Sequence, residues 1–156
     1  MNARFHVHLH VEDLDANIAF YSRLFDTPPT MRKDDYAKWL LEDPRLNFAV
    51  SSGKAGPDGI AHLGLQADTA AALETIGARL QAADQVTLAE TGATCCYARS
   101  DKFWAQDPQG VIWETFHTHG EATTYHAPEA ARPATPCCDA PARTAAARCD
   151  TAAGCC

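Results

Sequence analysis

From His6 to Val11 the chain alternates polar and apolar residues, His6-Val7-His8-Leu9-His10-Val11. That period of two sends successive side chains to opposite faces of a strand. Asp13 follows, and then Leu14, Ile18, Tyr21, Leu24 and Phe25 recur at spacings of three and four. This is the stripe of an amphipathic helix, with Asp13 suited to cap its N-terminus. The pattern begins again at His62, 56 residues after His6: His62-Leu63-Gly64-Leu65-Gln66-Ala67, Asp68 as the second capping residue, then Leu73, Ile76 and Leu80. Short strand-like runs follow each helix. In the first half they cover 36–41 and 46–50, divided by Asp43-Pro44; in the second they cover 86–89, 95–98, 103–106 and 111–116, with a turn at Asp107-Pro108-Gln109-Gly110. The order is strand, helix, strands, twice. One copy is too small to enclose a good core, so the halves are expected to pack together. The predicted class is α+β, with mixed sheet bent around a shared cavity.

Past residue 118 the pattern stops. Tyr125 is the only large apolar residue left, among Ala, Pro, Thr, Cys and scattered charge. Such a segment buries too little apolar surface to offset the entropy of ordering it. The expected organisation is a domain over 1–118, with modules of about 3–53 and 58–118, and a flexible Cys-rich tail over 119–156. A transient Ala-rich helix around 143–148 is the alternative for part of that tail.

Composition narrows the function classes. The 156 residues are 46% hydrophobic and 21% charged, ordinary for a soluble globular protein, and the formal net charge of -7 argues against nucleic acid or an anionic membrane as partner. No apolar run approaches the ~20 residues of a membrane helix. The opening Met1-Asn2-Ala3-Arg4-Phe5-His6 lacks a basic-then-apolar leader pattern, which predicts the cytoplasm. The seven cysteines fall as Cys95-Cys96, Cys137-Cys138, Cys149 and Cys155-Cys156. Adjacent cysteines rarely bridge each other, and an odd total without export speaks against a disulfide framework. Free, paired thiols point to soft metal or metalloid chemistry.

His6-x-x-Leu9-x-Val11-x-Asp13-Leu14 leading to Phe20-Tyr21, the second His62-Leu63-x-Leu65, and Asp107-Pro108-x-Gly110 followed four residues later by Glu114 resemble the vicinal oxygen chelate superfamily over residues 4–118. That superfamily includes glyoxalase I, extradiol dioxygenases and bleomycin-resistance proteins. The resemblance implies two βαβββ modules forming a cup-shaped sheet, with metal ligands on the first and last strands of each. Carried over by motif, the ligands are His6, His62 and Glu114. Residues 45–57 contain no Asp or Glu, so the fourth carboxylate of a glyoxalase-type site is missing. Two imidazoles and one carboxylate match the facial triad of non-haem Fe(II) oxygenases, and Ni, Co, Zn or Mn suit the same donors. His8 and His10 share the face of His6 and read as cavity lining or hydrogen-bond partners of the ligands. His117 and His119, just past the last expected strand, read as solvent-facing.

Within the superfamily the resemblance narrows. Cys95-Cys96, then Lys102-Phe103-Trp104, then Trp113-Glu114 and a cysteine-rich tail are similar to the ArsI-type carbon–arsenic lyases and cadmium-inducible proteins. The ArsI-type members are Fe(II)-dependent, and their first ligand is often Gln, where this chain has His6. The branch implies a dioxygen-using lyase that cleaves a trivalent organoarsenical, methylarsenite or an aromatic arsenical, to arsenite. The chemistry follows from the atoms. A trivalent organoarsenical keeps one As–C bond and offers two positions to sulfur, which Cys95 and Cys96 would fill. Lys102 and Tyr97 are candidate catalytic residues that polarise oxygen or steady the loop, and Gly92 suggests a mobile loop carrying the thiols inward. The partners are then the arsenical and dioxygen, with a homodimer left open. Two alternatives stand beside this reading: a non-catalytic Cd(II) or As(III) sequestrant using all seven thiols, and an extradiol-type dioxygenase or glyoxalase-like enzyme.

Overall fold

The computed structural model describes residues 3–54 and 56–126. The first half consists of β1 (Ala3–His10), α1 (Leu14–Leu24), β2 (Met31–Lys33), β3 (Tyr36–Glu42) and β4 (Arg45–Ser51). The second repeats that order with β5 (Gly59–Ala67), α2 (Ala70–Ala82), β6 (Val86–Cys95), β7 (Ala98–Gln106) and β8 (Ile112–Glu121). Asp13 caps α1, its carboxylate accepting from the Ala16 amide at 2.9 Å. In the second half Thr69, not Asp68, accepts from Ala72. Asp68 is drawn instead to Arg45, 2.9 Å away on β4 of the other module.

All eight strands form one sheet in the order β2-β3-β4-β1-β5-β8-β7-β6. β1 and β5 pair antiparallel at its centre, and each carries its own module's last strand, β4 or β8, in parallel. Read outward from the centre, both halves run in the same order. Alternation along β1 assigns the two faces. Val7 and Leu9 pack against the core of Leu14, Ile18, Trp39, Phe48 and Val50, while His6, His8 and His10 point to the other side. The helices therefore cover the outer face, and the polar residues line the inner one. The β2–β3 and β6–β7 turns lie near opposite ends of the sheet, yet the Tyr97 hydroxyl of one reaches Asp35 of the other at 2.6 Å. The sheet is thus curled into a half-barrel, the cup that the pattern implied.

Beyond the Asp68 cap, one strand is added and three local expectations change. β2 is a three-residue edge strand too short to leave a periodic signal. Residues 95–98 are not one continuous strand: Cys95 ends β6, Ala98 begins β7, and Cys96 and Tyr97 form a two-residue hairpin turn at φ 56° and 61°. Both are left-handed conformations that a sequence reader assigns to Asn-Gly rather than Cys-Tyr. Gly92 belongs to no loop; it sits inside β6 at φ 63°, where the register with β7 shifts. Finally, the fold does not stop at 118. β8 keeps pairing with β7 through Glu121, and Tyr125 is buried against Tyr36, Ala49 and Cys95. One tyrosine is enough to dock the segment, because Cys96 N donates to Tyr125 O at 2.7 Å and Ala122 N to Tyr97 O at 2.8 Å. The expected tail beyond His126, with its five cysteines and the 143–148 helix, lies outside the described residues. Among the described residues, no helix is long and apolar enough to cross a membrane.

Candidate metal and thiol site

The inner face of the central strands gathers a buried polar cluster. Register brings it together: His8 stands opposite His62 across β1 and β5, and Gly64 opposite Glu114 across β5 and β8. Gly64 is required there, since a Cβ would lie 2.0 Å from the Glu114 carbonyl oxygen. His6, His62, Glu114 and Lys102 are each no more than 4% exposed. His6 Nε2 lies 3.2 Å from His62 Nε2 and 3.5 Å from Glu114 Oε2, which is itself 3.3 Å from His62 Nε2. Donors sharing one ion at bonds of ~2.1 Å sit ~3.0 Å apart at right angles and ~3.4 Å apart in a tetrahedron. The separations of 3.2, 3.3 and 3.5 Å lie at or just beyond the upper part of that interval, so a common cation fits with a small inward shift of Glu114 and His6.

The protonation states fit as well. His6 Nδ1 lies 3.0 Å from the Asn47 carbonyl, which can only accept, so the ring proton sits there and Nε2 presents its lone pair to the cluster. Burial first, and His62 second, lower the His6 pKa to about 4. Burial works to raise the Glu114 carboxyl, but the Lys102 ammonium, His62 and His6 outweigh it and hold it well below the usual range. A neutral His6 beside an ionised Glu114 is the donor state a metal needs. His62 Nδ1 is buried with no hydrogen-bond partner among the described residues. His8 comes closer than a mere lining residue. His6, His8 and His62 each offer a ring nitrogen within 4.8 Å of the others, so three buried histidines can hold a metal. His8 Nε2, however, is 2.9 Å from Ser51 Oγ, whereas the set with Glu114 closes to 3.5 Å or less.

The same cavity is walled by the cysteine pair: Cys95, Cys96, His6, Glu114, Lys102 and Tyr36 all line it. Cys95 Sγ and Cys96 Sγ are 3.1 Å apart. Neighbours on a continuous strand would point to opposite faces; the left-handed turn at Cys96 is what turns both sulfurs inward. Burial pushes the Cys96 thiol up to about 11, against a smaller opposing pull from Lys102. Cys95 is held in a disulfide, contrary to the all-thiol expectation, and Cys96 is not, so reduction of that bond is what yields two adjacent thiols.

Of the two candidate catalytic residues, only Lys102 is at the cluster. Its Nζ donates to Glu114 Oε1 at 2.6 Å, which leaves Oε2 to face the histidines. Tyr97 does not line the cavity; its side chain follows the hairpin turn outward to Asp35. Tyr36 lines it instead, and Lys38 beside it, both on the inward alternation of β3 that the sequence already displayed. Tyr125 gave no such signal, standing alone in a polar segment. The missing fourth carboxylate also has a position. Gly64, two residues after His62, faces Glu114; His8, two after His6, faces Ala49. Ala49 packs with Tyr36 and Cys95, so that quadrant opens toward the thiols. His117 and His119 do not line the cavity: His117 Nδ1 meets the Ala67 carbonyl at 3.1 Å, and half-exposed His119 pairs with Asp101 at 2.8 Å.

A doubled βαβββ sheet with buried imidazoles and a carboxylate at its centre defines a class. Residues 4–115 match the sequence profile of the Glyoxalase/Bleomycin resistance protein/Dioxygenase superfamily, and the chain belongs to it. Within that class, it is 40% identical over 117 residues to a trivalent organoarsenical cleaving enzyme of Bacillus sp. (strain MD1), covering 72% of this chain and 71% of that one. It is 34% identical over 142 residues to the cadmium-induced protein CadI of Mycobacterium tuberculosis, covering 88% and 93%. Among solved structures, an anaerobic substrate complex of homoprotocatechuate 2,3-dioxygenase from Brevibacterium fuscum superposes with a TM-score of 0.58 at 16% identity, over 81% of this chain and 39% of that one. The Mn(II)-bound glyoxalase from Novosphingobium aromaticivorans does so at 0.55 and 18%, over 82% and 44%. These two likenesses concern the fold.

Proposed function

We propose that the protein is an Fe(II)-dependent, dioxygen-using carbon–arsenic lyase that releases arsenite from trivalent organoarsenicals such as methylarsenite. The observation that carries the proposal is the shared cavity: His6 and Glu114, two members of a cation-sized set that His62 completes behind them, line it together with two sulfurs 3.1 Å apart. Iron held by those three residues would supply dioxygen activation, through positions the protein leaves unligated. Ni, Co, Zn or Mn would suit the same donors.

The residues of the chain do the rest. The arsenical exchanges its two hydroxyls for Cys95 and Cys96, releasing two waters, and its single carbon substituent is left pointing along the cavity. The pair thereby fixes the As–C bond relative to the cluster, which is the orientation term of catalysis. Lys102 keeps Glu114 ionised and turned. Methylarsenite plus one dioxygen contains the atoms of formaldehyde plus arsenous acid, so the cleavage needs no further reductant. The product has lost its carbon and favours a third sulfur or oxygen, which loosens its hold on a two-sulfur clamp.

The cadmium-induced relative favours a second reading, a thiol-based cadmium binder. The raised Cys96 pKa weighs against it. Cadmium must displace a proton from each thiol it binds, whereas an arsenous hydroxide leaves as water with that proton. Reduced, Fe(II)-loaded protein incubated in air with methylarsenite separates the two. The lyase reading predicts arsenite release, lost by orders of magnitude in either Cys95→Ser or Cys96→Ser while iron content persists. Full turnover by those variants, or binding without any arsenite, defeats it.

A further inference from the structure

The two sulfurs face the same way only because Cys96 and Tyr97 adopt left-handed backbone angles, and neither residue favours them. Such conformations persist where the surroundings over-determine them. Here the surroundings come from the opposite end of the sheet. Asp35, in the β2–β3 turn of the first module, accepts the Tyr97 hydroxyl at 2.6 Å through Oδ1 and the Lys54 ammonium at 2.5 Å through Oδ2. Lys54 in turn sits 3.5 Å above the Tyr125 ring, and the Tyr125 carbonyl accepts the Cys96 amide. The turn is therefore gripped at its side chain by Asp35 and at its backbone by Tyr125, with Lys54 tying the two grips together.

We propose that Asp35, Lys54 and Tyr97 form a latch across the mouth of the cup that sets the bite of the Cys95–Cys96 clamp, making them positioning residues for arsenic capture. None of the three touches the metal cluster, and Tyr97, one of the candidate catalytic residues, acts through Cys96 rather than on substrate. The spacing supports the assignment. Sulfurs sharing one atom at bonds of ~2.3 Å sit ~3.3 Å apart at a right angle, and the observed 3.1 Å is close to that span. Freeing Tyr97 lets the turn relax toward ordinary β angles, where adjacent side chains diverge and a single arsenic can no longer hold both.

The inference rests on the arsenical reading of the site, and its test is chosen to separate the two. Reduced wild-type, Tyr97→Phe, Asp35→Asn and Asp35→Ala proteins are loaded anaerobically with phenylarsine oxide, and the As–S bonds are counted by X-ray absorption. Iron content and melting temperature are recorded alongside. Wild type should show two As–S bonds, and Asp35→Asn, which keeps an acceptor oxygen for Tyr97, should stay close to two. Tyr97→Phe and Asp35→Ala should fall toward one, with at least tenfold lower turnover at saturating methylarsenite and unchanged iron content. If Asp35→Ala does not fold, Tyr97→Phe, which removes one oxygen from a half-exposed ring, decides alone. Two As–S bonds and wild-type turnover in Tyr97→Phe overturn the latch. Two bonds in wild type without arsenite release defeat the lyase while leaving the latch standing.

Discussion

Replacing Lys102 by methionine removes one charge and little volume from the centre of the site. In the native protein the ammonium rests 2.6 Å from Glu114 Oε1, and both side chains are buried, at 4% and 6% exposure, so solvent screens the pair poorly. Deleting one partner of a buried ion pair leaves the other charge uncompensated and costs ~3–5 kcal/mol. At roughly 3–5 °C per kcal/mol for a domain of this size, the metal-free variant should melt about 9–25 °C below wild type. Protonation of Glu114 relieves part of that penalty, so the gap should narrow as the pH falls. A divalent cation set against Oε2 supplies the missing positive charge. Adding metal should therefore raise the melting temperature of Lys102→Met by more than it raises that of wild type. Thermal melts followed by circular dichroism, metal-free and metal-loaded at neutral pH, measure all four values. A metal-free variant as stable as wild type, or equal metal-induced shifts in both proteins, would refute the electrostatic account of the cluster.

Three further outcomes follow from the same geometry. Gly64→Ala places a methyl group against the Glu114 carbonyl and must push β8 from β5, so it should reduce metal binding far more than its size suggests, as read by metal content after dialysis. The metal-free protein should lose stability as the pH drops from 6.5 to about 4, because the unfolded chain protonates His6 at its ordinary pKa while the folded one resists. That loss is on the order of 3 kcal/mol from His6 alone; His8 acts in the same direction, and denaturant titrations across the interval check it. Tyr125→Ala should cost ~3–5 kcal/mol, the usual figure for a buried aromatic, visible as a lower urea midpoint; an unchanged midpoint would return residues 119–126 to the tail.

What was legible in the sequence was whatever repeats. The alternation around His6 and His62 and the spacing after Asp13 marked both modules, since each states its buried face at a strand or helix period. The register that brings Glu114 opposite Gly64 is a non-local pairing, but the superfamily motif carried it. Three features had no periodic signature. Cys96 and Tyr97 make a hairpin turn with residues that rarely take left-handed angles, so the stretch read as a strand. The segment 122–126 docks through the single ring of Tyr125 and the backbone hydrogen bonds at Ala122 and Tyr125, too little to show in composition. Tyr97 points to Asp35, 62 positions away, because the sheet curls, and no local pattern reports a curl.

The most direct measurement is a single-turnover count of arsenite from reduced, Fe(II)-loaded protein mixed with a slight excess of methylarsenite, once in air and once under nitrogen. The account predicts rapid release of arsenite in air, at least one per chain, with formaldehyde in equal amount. Under nitrogen it predicts none, the arsenical remaining bound to the protein. Arsenite appearing equally without oxygen, or methylarsenite recovered intact from the aerobic sample, would contradict it.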